Sequence, residues 1–236
     1  MKSLTAKEDR LPGGVEAAGG RASARFDLAD TETYERRPLH AIYALFAIFV
    51  VLLCSMLADG ESVSAAEEDV FRAIQDLPDF LKPIFWPMMQ FGNLVMAFVA
   101  AIAAIAFKRW RLSSGFLLLA AGKLYFARLI KENVTRHRPN EILDNVVLRD
   151  SFGGGLAFVS GHAIIAFGIA TLVHPYLHGP WRIAVWTLAA LACIGRVYVG
   201  AHLPLDVVGG AAAGIALGFL IGLITGVPRG ETSATS

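Results

Sequence analysis

Residues 196–226 read RVYVGAHLPLDVVGGAAAGIALGFLIGLITG and join a polar loop to a long apolar run. The run covers 205–226 and is close to the roughly 20 residues that an α-helix needs to cross a bilayer core. Proline is tolerated in the first turn of a helix, so we expect this helix to begin near Pro204. Arg196, His202 and Asp206 then lie at or just before its start. The stretch predicts a membrane-spanning helix with a group of polar residues at one end.

Five further apolar stretches of similar length precede it, at 40–58, 88–107, 113–130, 156–174 and 181–199. Of the 236 residues, 55% are hydrophobic and 17% are charged, a balance that soluble domains rarely have. We therefore predict an all-α, polytopic membrane protein with a bundle of six transmembrane helices. A cleaved signal peptide is a weaker interpretation of the first stretch, because the segment before it is too long.

The remaining composition limits the partners and divides the chain. A net charge of +1 does not favour a nucleic-acid partner. The two cysteines, Cys54 and Cys193, lie in apolar runs and are too few for a four-ligand zinc site. Residues 1–38 are charged and lack apolar periodicity, which is typical of a disordered tail. We predict one helical domain over 39–228, between that tail and a short tail over 229–236.

Basic residues beside the helix ends predict the orientation of the chain. They are Arg36, Arg37, Lys108, Arg109, Arg111, Arg182 and Arg229. Because cytoplasmic loops carry an excess of Lys and Arg, both termini are expected in the cytoplasm. The loop 131–155 falls on the other side and also carries cations, against this rule. We interpret those cations as held for a ligand.

His202 and Asp206 lie four residues apart across the expected helix start. Asp206 could accept a hydrogen bond from one nitrogen of His202, which would fix the tautomer and leave the other nitrogen free as a nucleophile. Arg196 precedes the same loop. For the pair alone, a purely structural role is an equal alternative.

Ser160-Gly161-His162 opens the fourth predicted helix. Free backbone N–H groups at a helix start bind anions, and glycine lets a phosphate approach closely. His162 is placed to donate a proton to a leaving oxygen. Taken alone, the tripeptide is more commonly a serine N-cap with an incidental histidine.

Lys131 and Arg138 flank a turn that ends in Pro139. A lysine point charge and an arginine fork both suit phosphate oxygens, although cations at a membrane interface are common. We assign no chemistry to Arg136 or His137. In an alternating topology all three polar stretches meet at one end of the bundle, and together they predict a phosphate-ester site.

The order of these residues resembles the type 2 phosphatidic acid phosphatase (PAP2) superfamily. The pattern K-x6-RP, SGH and R-x5-H-x3-D is met by Lys131, Arg138, Pro139, Ser160, Gly161, His162, Arg196, His202 and Asp206. These motifs span 131–206, and the helix pattern extends the resemblance to about 40–226. The chain departs from the family at Val159, usually Pro, and at Gly195, usually Ser, which leaves the choice of substrate less certain.

The resemblance implies a mechanism. His202 attacks phosphorus and forms a phosphohistidine, Asp206 orients it, and His162 protonates the leaving group. The transferring phosphoryl group is stabilised by Lys131, Arg138, Arg196, Ser160 and Gly161. Because no carboxylate cluster is visible in the sequence, we predict that the enzyme needs no metal ion and no cofactor.

The resemblance also implies a lipid substrate, in the cytoplasmic (inner) membrane and with the site at its extracytoplasmic face. We favour a prenyl diphosphate such as undecaprenyl diphosphate. Phosphatidic acid, phosphatidylglycerol phosphate and lipid A phosphates are the alternative substrates. A phosphotransferase with the same intermediate and a non-catalytic lipid-phosphate carrier are the alternative functions.

Three features outside the motifs carry further expectations. Lys123, in the middle of the third predicted helix, either lines the lipid cleft or pairs with a carbonyl group. Gly210, Gly214, Gly218 and Gly222 recur every four residues, which favours packing within the bundle or, alternatively, a homodimer. The segment 65–86 is either an amphipathic helix on the membrane surface or an ordinary loop.

Overall fold

The computed structural model describes residues 33–60, 62–151 and 155–229. Within them it has nine α-helices and one two-stranded antiparallel sheet. The helices are α1 (Leu39–Ala58), α2 (Ala65–Gln75), α3 (Lys82–Gln90), α4 (Leu94–Ala106), α5 (Trp110–Lys131), α6 (Pro139–Ile142), α7 (Gly161–Val173), α8 (Pro180–Tyr198) and α9 (Pro204–Thr225). The strands are β1 (Tyr34–Glu35) and β2 (Val227–Pro228). The predominantly helical architecture agrees with the sequence prediction.

Three helices of the described residues, α1, α5 and α9, are long and apolar enough to cross a membrane. Asp79–Gln90 and Leu94–Ala106 form a fourth candidate, bent by 53° at the break between them. All six apolar stretches contain helices, but the count of six spans is not confirmed. One reason is that α7 has only 13 residues, which at 1.5 Å per residue is about 20 Å. The other is that α8 carries Arg182 and Arg196.

Helix α1 turns its small residues inward and its large ones outward. Ala44, Ala47, Cys54 and Ala58 are buried against the bundle. Large apolar side chains on the other face are exposed, namely Leu45, Phe46, Phe49, Leu52 and Met56. Small residues allow helices to approach closely inside a membrane, and lipid tails solvate the large ones. This distribution is what a lipid-facing helix requires.

The glycine series of α9 serves packing within the chain. A Cβ atom at Gly210 would lie 2.6 Å from the carbonyl oxygen of Ser160, at the start of α7. A Cβ atom at Gly218 would lie 2.6 Å from Cβ of Thr171, further along α7. Because α7 already covers this face, the homodimer suggested by the glycine spacing is not supported.

The chain ends of the described region meet at one end of the bundle. Tyr34 pairs with Pro228 and Glu35 with Val227 in the small sheet, so this part of the predicted N-terminal tail has regular structure. Residues 1–32 of that tail and residues 230–236 lie outside the described residues. The α4–α5 turn lies at the same end, whereas the α5 C-terminus, the α7 N-terminus and the α8–α9 loop lie at the opposite one.

The segment 65–86 is neither one helix nor a plain loop. It forms α2, a single 3₁₀ turn and most of α3. Helix α2 buries Glu67, Phe71 and Gln75, while Val70 is 50% exposed. The face that α2 turns to the bundle therefore includes a carboxylate, which an apolar face turned to the membrane would not.

Candidate active site

Hydrogen bonds join the three polar segments at one end of the bundle. Nη1 of Arg138 donates to the carbonyl oxygen of Ala201 at 3.0 Å, which ties the first motif to the third. The backbone N–H of Ser160 donates to the carbonyl oxygen of Asp206 at 3.0 Å, which ties the second motif to the third. The backbone N–H of Ala157 donates to the carbonyl oxygen of Arg136 at 2.7 Å. The segments that are distant in sequence thus converge as predicted.

His202 lies in the α8–α9 loop with Asp206 directly behind it. Helix α9 begins at Pro204, as the sequence predicts. Oδ2 of Asp206 accepts a hydrogen bond from the backbone N–H of Leu203 at 2.9 Å, which caps the helix and fixes the carboxylate. Nδ1 of His202 is 3.4 Å from the same oxygen, longer than a normal hydrogen bond but close enough for an ion pair with the protonated ring. Nε2 is therefore the nitrogen left for a nucleophilic role.

The protonation state of His202 suits that role. Its pKa is lowered from the ordinary value of 6.5, mainly because burial disfavours the charged imidazolium. Asp206 acts in the opposite direction and raises the pKa, whereas Arg196 and Arg138 lower it further. The neutral imidazole, which alone can attack phosphorus, is favoured at neutral pH.

Ser160 and Gly161 lie at the start of α7, and the free backbone N–H groups of a helix start can bind an anion. Ser160 is the N-cap residue of α7, but its side chain makes no capping hydrogen bond. Its Oγ is buried and has no hydrogen-bond partner in the described ranges. A Cβ atom at Gly161 would lie 2.7 Å from Cε and 3.2 Å from Nζ of Lys123, so this lysine lies against the helix start. His162 follows at once and is within electrostatic range of His202 and Arg196.

The three motif cations have contacts within the protein that a phosphate could replace. Nζ of Lys131 donates to the carbonyl oxygen of Leu156. Arg138 is bound to Ala201 as described above. Nη1 of Arg196 is 3.9 Å from Oδ2 of Asp150, and the Arg196 side chain is 8% exposed. These contacts fix the three cations, and Lys131 and Arg196 each lie within electrostatic range of Arg138.

Two further cations of the 131–155 loop are bound by the protein itself. Nη2 of Arg136 is 2.7 Å from Oε2 of Glu67, and its Nε is 3.3 Å from Oδ1 of Asp206. Nε of Arg149 is 2.7 Å from Oδ1 of Asp79. The general interpretation that cations in this loop are held for a ligand is not supported for Arg149, and Arg136, to which we assigned no chemistry, is likewise bound within the protein.

Sequence reasoning missed Arg136 and Glu67 as neighbours of Asp206. The one available signal was Glu67 four residues before Phe71, on the apolar side of an amphipathic segment. His137, in contrast, is exposed and pairs with Glu141 at 2.8 Å, in keeping with the absence of an assigned role.

The two departures from the family pattern have different surroundings. Val159 is fully buried in the main apolar core. At Gly195, a Cβ atom would lie 2.6 Å from Cγ of Met89 and 3.5 Å from Cβ of Phe85. A side chain at this position would therefore pack against α3.

Comparison with known proteins places the chain in a family. The family model of the PAP2 superfamily matches residues 112–227, which include every motif residue. This chain belongs to the PAP2 superfamily. With its candidate spans, it is an integral membrane protein of that family. No curated protein sequence matches it significantly.

Two crystal structures of PAP2-type enzymes have the same fold. The transmembrane PAP2-type phosphatidylglycerolphosphate phosphatase from Bacillus subtilis gives a TM-score of 0.61 at 21% identity, covering 76% of this chain and 94% of that one. LpxE from Aquifex aeolicus gives a TM-score of 0.62 at 25% identity, covering 67% of this chain and 95% of that one. Each of the two compared proteins is covered over nearly its whole length.

Proposed function

We propose that this protein hydrolyses a lipid-linked phosphate or diphosphate through a phosphohistidine at His202. The observation that carries the proposal is that hydrogen bonds bring the three motif segments together, with Asp206 fixed behind His202 and with Arg196 and His202 within electrostatic range of His162. Phosphoryl transfer needs in-line positioning and charge stabilisation more than any other help, and this arrangement supplies both.

In the first step, Nε2 of His202 attacks phosphorus. An N–P bond forms, the bond from phosphorus to the leaving oxygen breaks, and His162 gives its proton to that oxygen. Asp206 faces Nδ1 of His202 and stabilises the positive charge that develops on the ring. The negative charge of the bound phosphate favours the protonated form of His162 that this step requires.

In the second step, water attacks the phosphohistidine and its proton passes to His162. The N–P bond breaks, and inorganic phosphate leaves with His202 restored. Lys131, Arg138 and Arg196 neutralise the equatorial oxygens in both steps, together with the backbone N–H groups at the start of α7 and the unpartnered hydroxyl of Ser160. Three fixed cations can supply this charge, so we propose that turnover by the purified protein persists in EDTA.

Lys123 supports a diphosphate as the substrate. It reaches the start of α7 from within a candidate membrane span, against Gly161. No hydrogen bond or ion pair of the described residues holds its ammonium group. A second phosphate of a prenyl diphosphate such as undecaprenyl diphosphate would give this cation a partner. Phosphatidic acid, phosphatidylglycerol phosphate and lipid A phosphates remain the alternative substrates.

The location of the site follows the same proposal. The basic loops favour both termini in the cytoplasm, which puts the site at the extracytoplasmic face of the inner membrane. The lipid would enter sideways from the outer leaflet, with its head group at the start of α7. Reporter fusions at residue 236 test this orientation, since a cytoplasmic reporter is expected to be active there and a periplasmic one inactive.

The decisive experiment is phosphate release by the purified protein in detergent. The wild type and His202→Ala are compared on a prenyl diphosphate, phosphatidic acid and phosphatidylglycerol phosphate. We expect release by the wild type and a loss of at least about 10³-fold in the variant, as for other catalytic nucleophiles. Equal, near-zero release by both would favour the carrier. Phosphorylated acceptors found by mass spectrometry would favour the phosphotransferase.

A further inference from the structure

Three buried, charged side chains, Glu67, Arg136 and Asp206, form an ion-pair network next to His202. Arg136 is fully buried between Glu67, at 2.7 Å, and Asp206, at 3.3 Å. The side chains of Asp206 and Glu67 are 0% and 5% exposed. Burying a charge away from water is costly unless the charge is paired, and in this network all three charges are paired. Asp206 connects this group to the nucleophile, because its Oδ1 faces Arg136 and its Oδ2 faces His202.

Glu67 also binds the first turn of α9 through a hydrogen bond. Its second oxygen, Oε1, accepts a hydrogen bond from the backbone N–H of Leu205 at 2.9 Å. Phe71, one turn further along α2, packs in an apolar cluster with Leu203 and Val207. Helix α2 is therefore fastened to the segment 203–207 both directly and through Arg136. That segment is the one that carries Asp206.

The charges of this ion-pair network affect the chemistry of His202. Asp206 supports the positive ring of the phosphohistidine, and a lone arginine beside it would oppose that charge. Glu67 neutralises Arg136, so the three groups carry a net charge of −1 and Asp206 remains an effective partner for the ring. Without Arg136, two buried carboxylates would lose the cation between them.

We propose that Glu67 and Arg136 are positioning residues of the reaction, which hold Asp206 in place and keep its negative charge available to His202. The inference rests on the proposed phosphatase function. It assigns to α2 a part in catalysis that lies outside the three motifs.

The test compares two adjacent glutamates of α2. Glu67→Gln removes the buried charge, whereas Glu68→Gln makes the same change one residue on, in a partly exposed pair with Arg72. We expect Glu67→Gln to lower kcat about tenfold or more with little change in KM. Glu68→Gln is expected to stay within about twofold of the wild type.

The pH profile distinguishes a positioning role of Glu67 from a purely structural one. His202 faces Asp206 on α9, Arg196 on α8, Arg138 before α6 and His162 on α7. In Glu67→Gln the charge of Arg136 is no longer neutralised, so the acid limb of kcat/KM is expected at lower pH than in the wild type. In Glu68→Gln the acid limb is expected at the same pH as in the wild type, because among the described residues the Glu68 side chain pairs with Arg72 and not with Arg136.

Several outcomes would overturn the inference. It is wrong if Glu67→Gln matches Glu68→Gln in kcat and in the acid limb, or if only KM changes. If Glu67→Gln does not fold, Arg136→Lys keeps the charge but cannot span both carboxylates. An unchanged kcat in that variant also overturns the inference. These outcomes leave the proposed function intact, because that function is tested separately, by phosphate release from the wild type and from His202→Ala.

Discussion

At the end of the bundle that holds His202, the side chains of Arg136 and Asp206 are fully buried. At the opposite end, Arg37 and Arg229 are 43% and 70% exposed and pair with Glu35, which is 34% exposed. Exposed pairs are screened by water and contribute little to stability, whereas a buried pair that loses one partner leaves a costly charge. Of these ion pairs, the buried one lies at the end that holds His202 and the exposed ones at the other end, so substitutions at the two ends should differ accordingly.

The largest difference is expected from Asp206→Asn. The amide keeps the shape of the side chain but loses the charge that orients His202, so kcat/KM should fall by about 10³- to 10⁴-fold, as in hydrolases with a comparable acid–imidazole pair. Glu35→Gln is the matched carboxylate-to-amide change at the other end. Phosphate release from one lipid substrate is measured for both variants, after size-exclusion chromatography in detergent has established that they are folded. Equal losses in the two would contradict the contrast between the ends.

Lys123→Met sharpens the comparison on the substrate side. If Lys123 binds the second phosphate, kcat/KM should fall about tenfold to 100-fold on a prenyl diphosphate and less than about threefold on the corresponding monophosphate. Lys108→Met, at the other end of the bundle beside the start of α5, is the control and should affect neither substrate. Equal losses on both substrates would mean that Lys123 does not select the diphosphate.

The local features of the site were predictable from the sequence. Pro204 marks the start of α9 and Ser160 the N-cap of α7, because both effects depend on residues within one helical turn. The meeting of the three segments followed from alternating helices together with the family resemblance. The chemical roles of His162, His202 and the motif cations stay predictions until variants are assayed.

The contacts that escaped prediction depend on distant pairing. Arg136 and Glu67 are 69 positions apart, and in sequence each resembles an ordinary charge at a membrane surface. The run 156–174 was long enough for a span. The structure leaves its first residues outside the helix, because the Ser160 backbone binds Asp206. Local periodicity does not predict which residue pairs with a buried charge. It also does not predict at which residue of an apolar run the helix begins.

The acid limb of the pH profile tests the burial of His202 itself. Because burial lowers the pKa of His202 below 6.5, the acid limb of kcat/KM that reports this group should lie below pH 6.5. The measurement is made on two substrates whose phosphates have different pKa values. An acid limb that belongs to the enzyme lies at the same pH with both substrates, whereas one that belongs to the substrate differs between them. An acid limb above 6.5 common to both substrates would place His202 in a more exposed or more acidic setting than the structure gives it.

The smallest effect is expected at the exposed end. Nε of Arg229 is 3.6 Å from Oε2 of Glu35, and both groups are open to solvent. Arg229→Gln should change the free energy of unfolding by less than about 1 kcal/mol and leave kcat unchanged. Thermal unfolding in detergent and phosphate release measure the two quantities. A loss of activity here would mean that the strand pairing at this end is coupled to the site across the whole length of α9, and that the separation between a catalytic end and a merely solvated end does not hold.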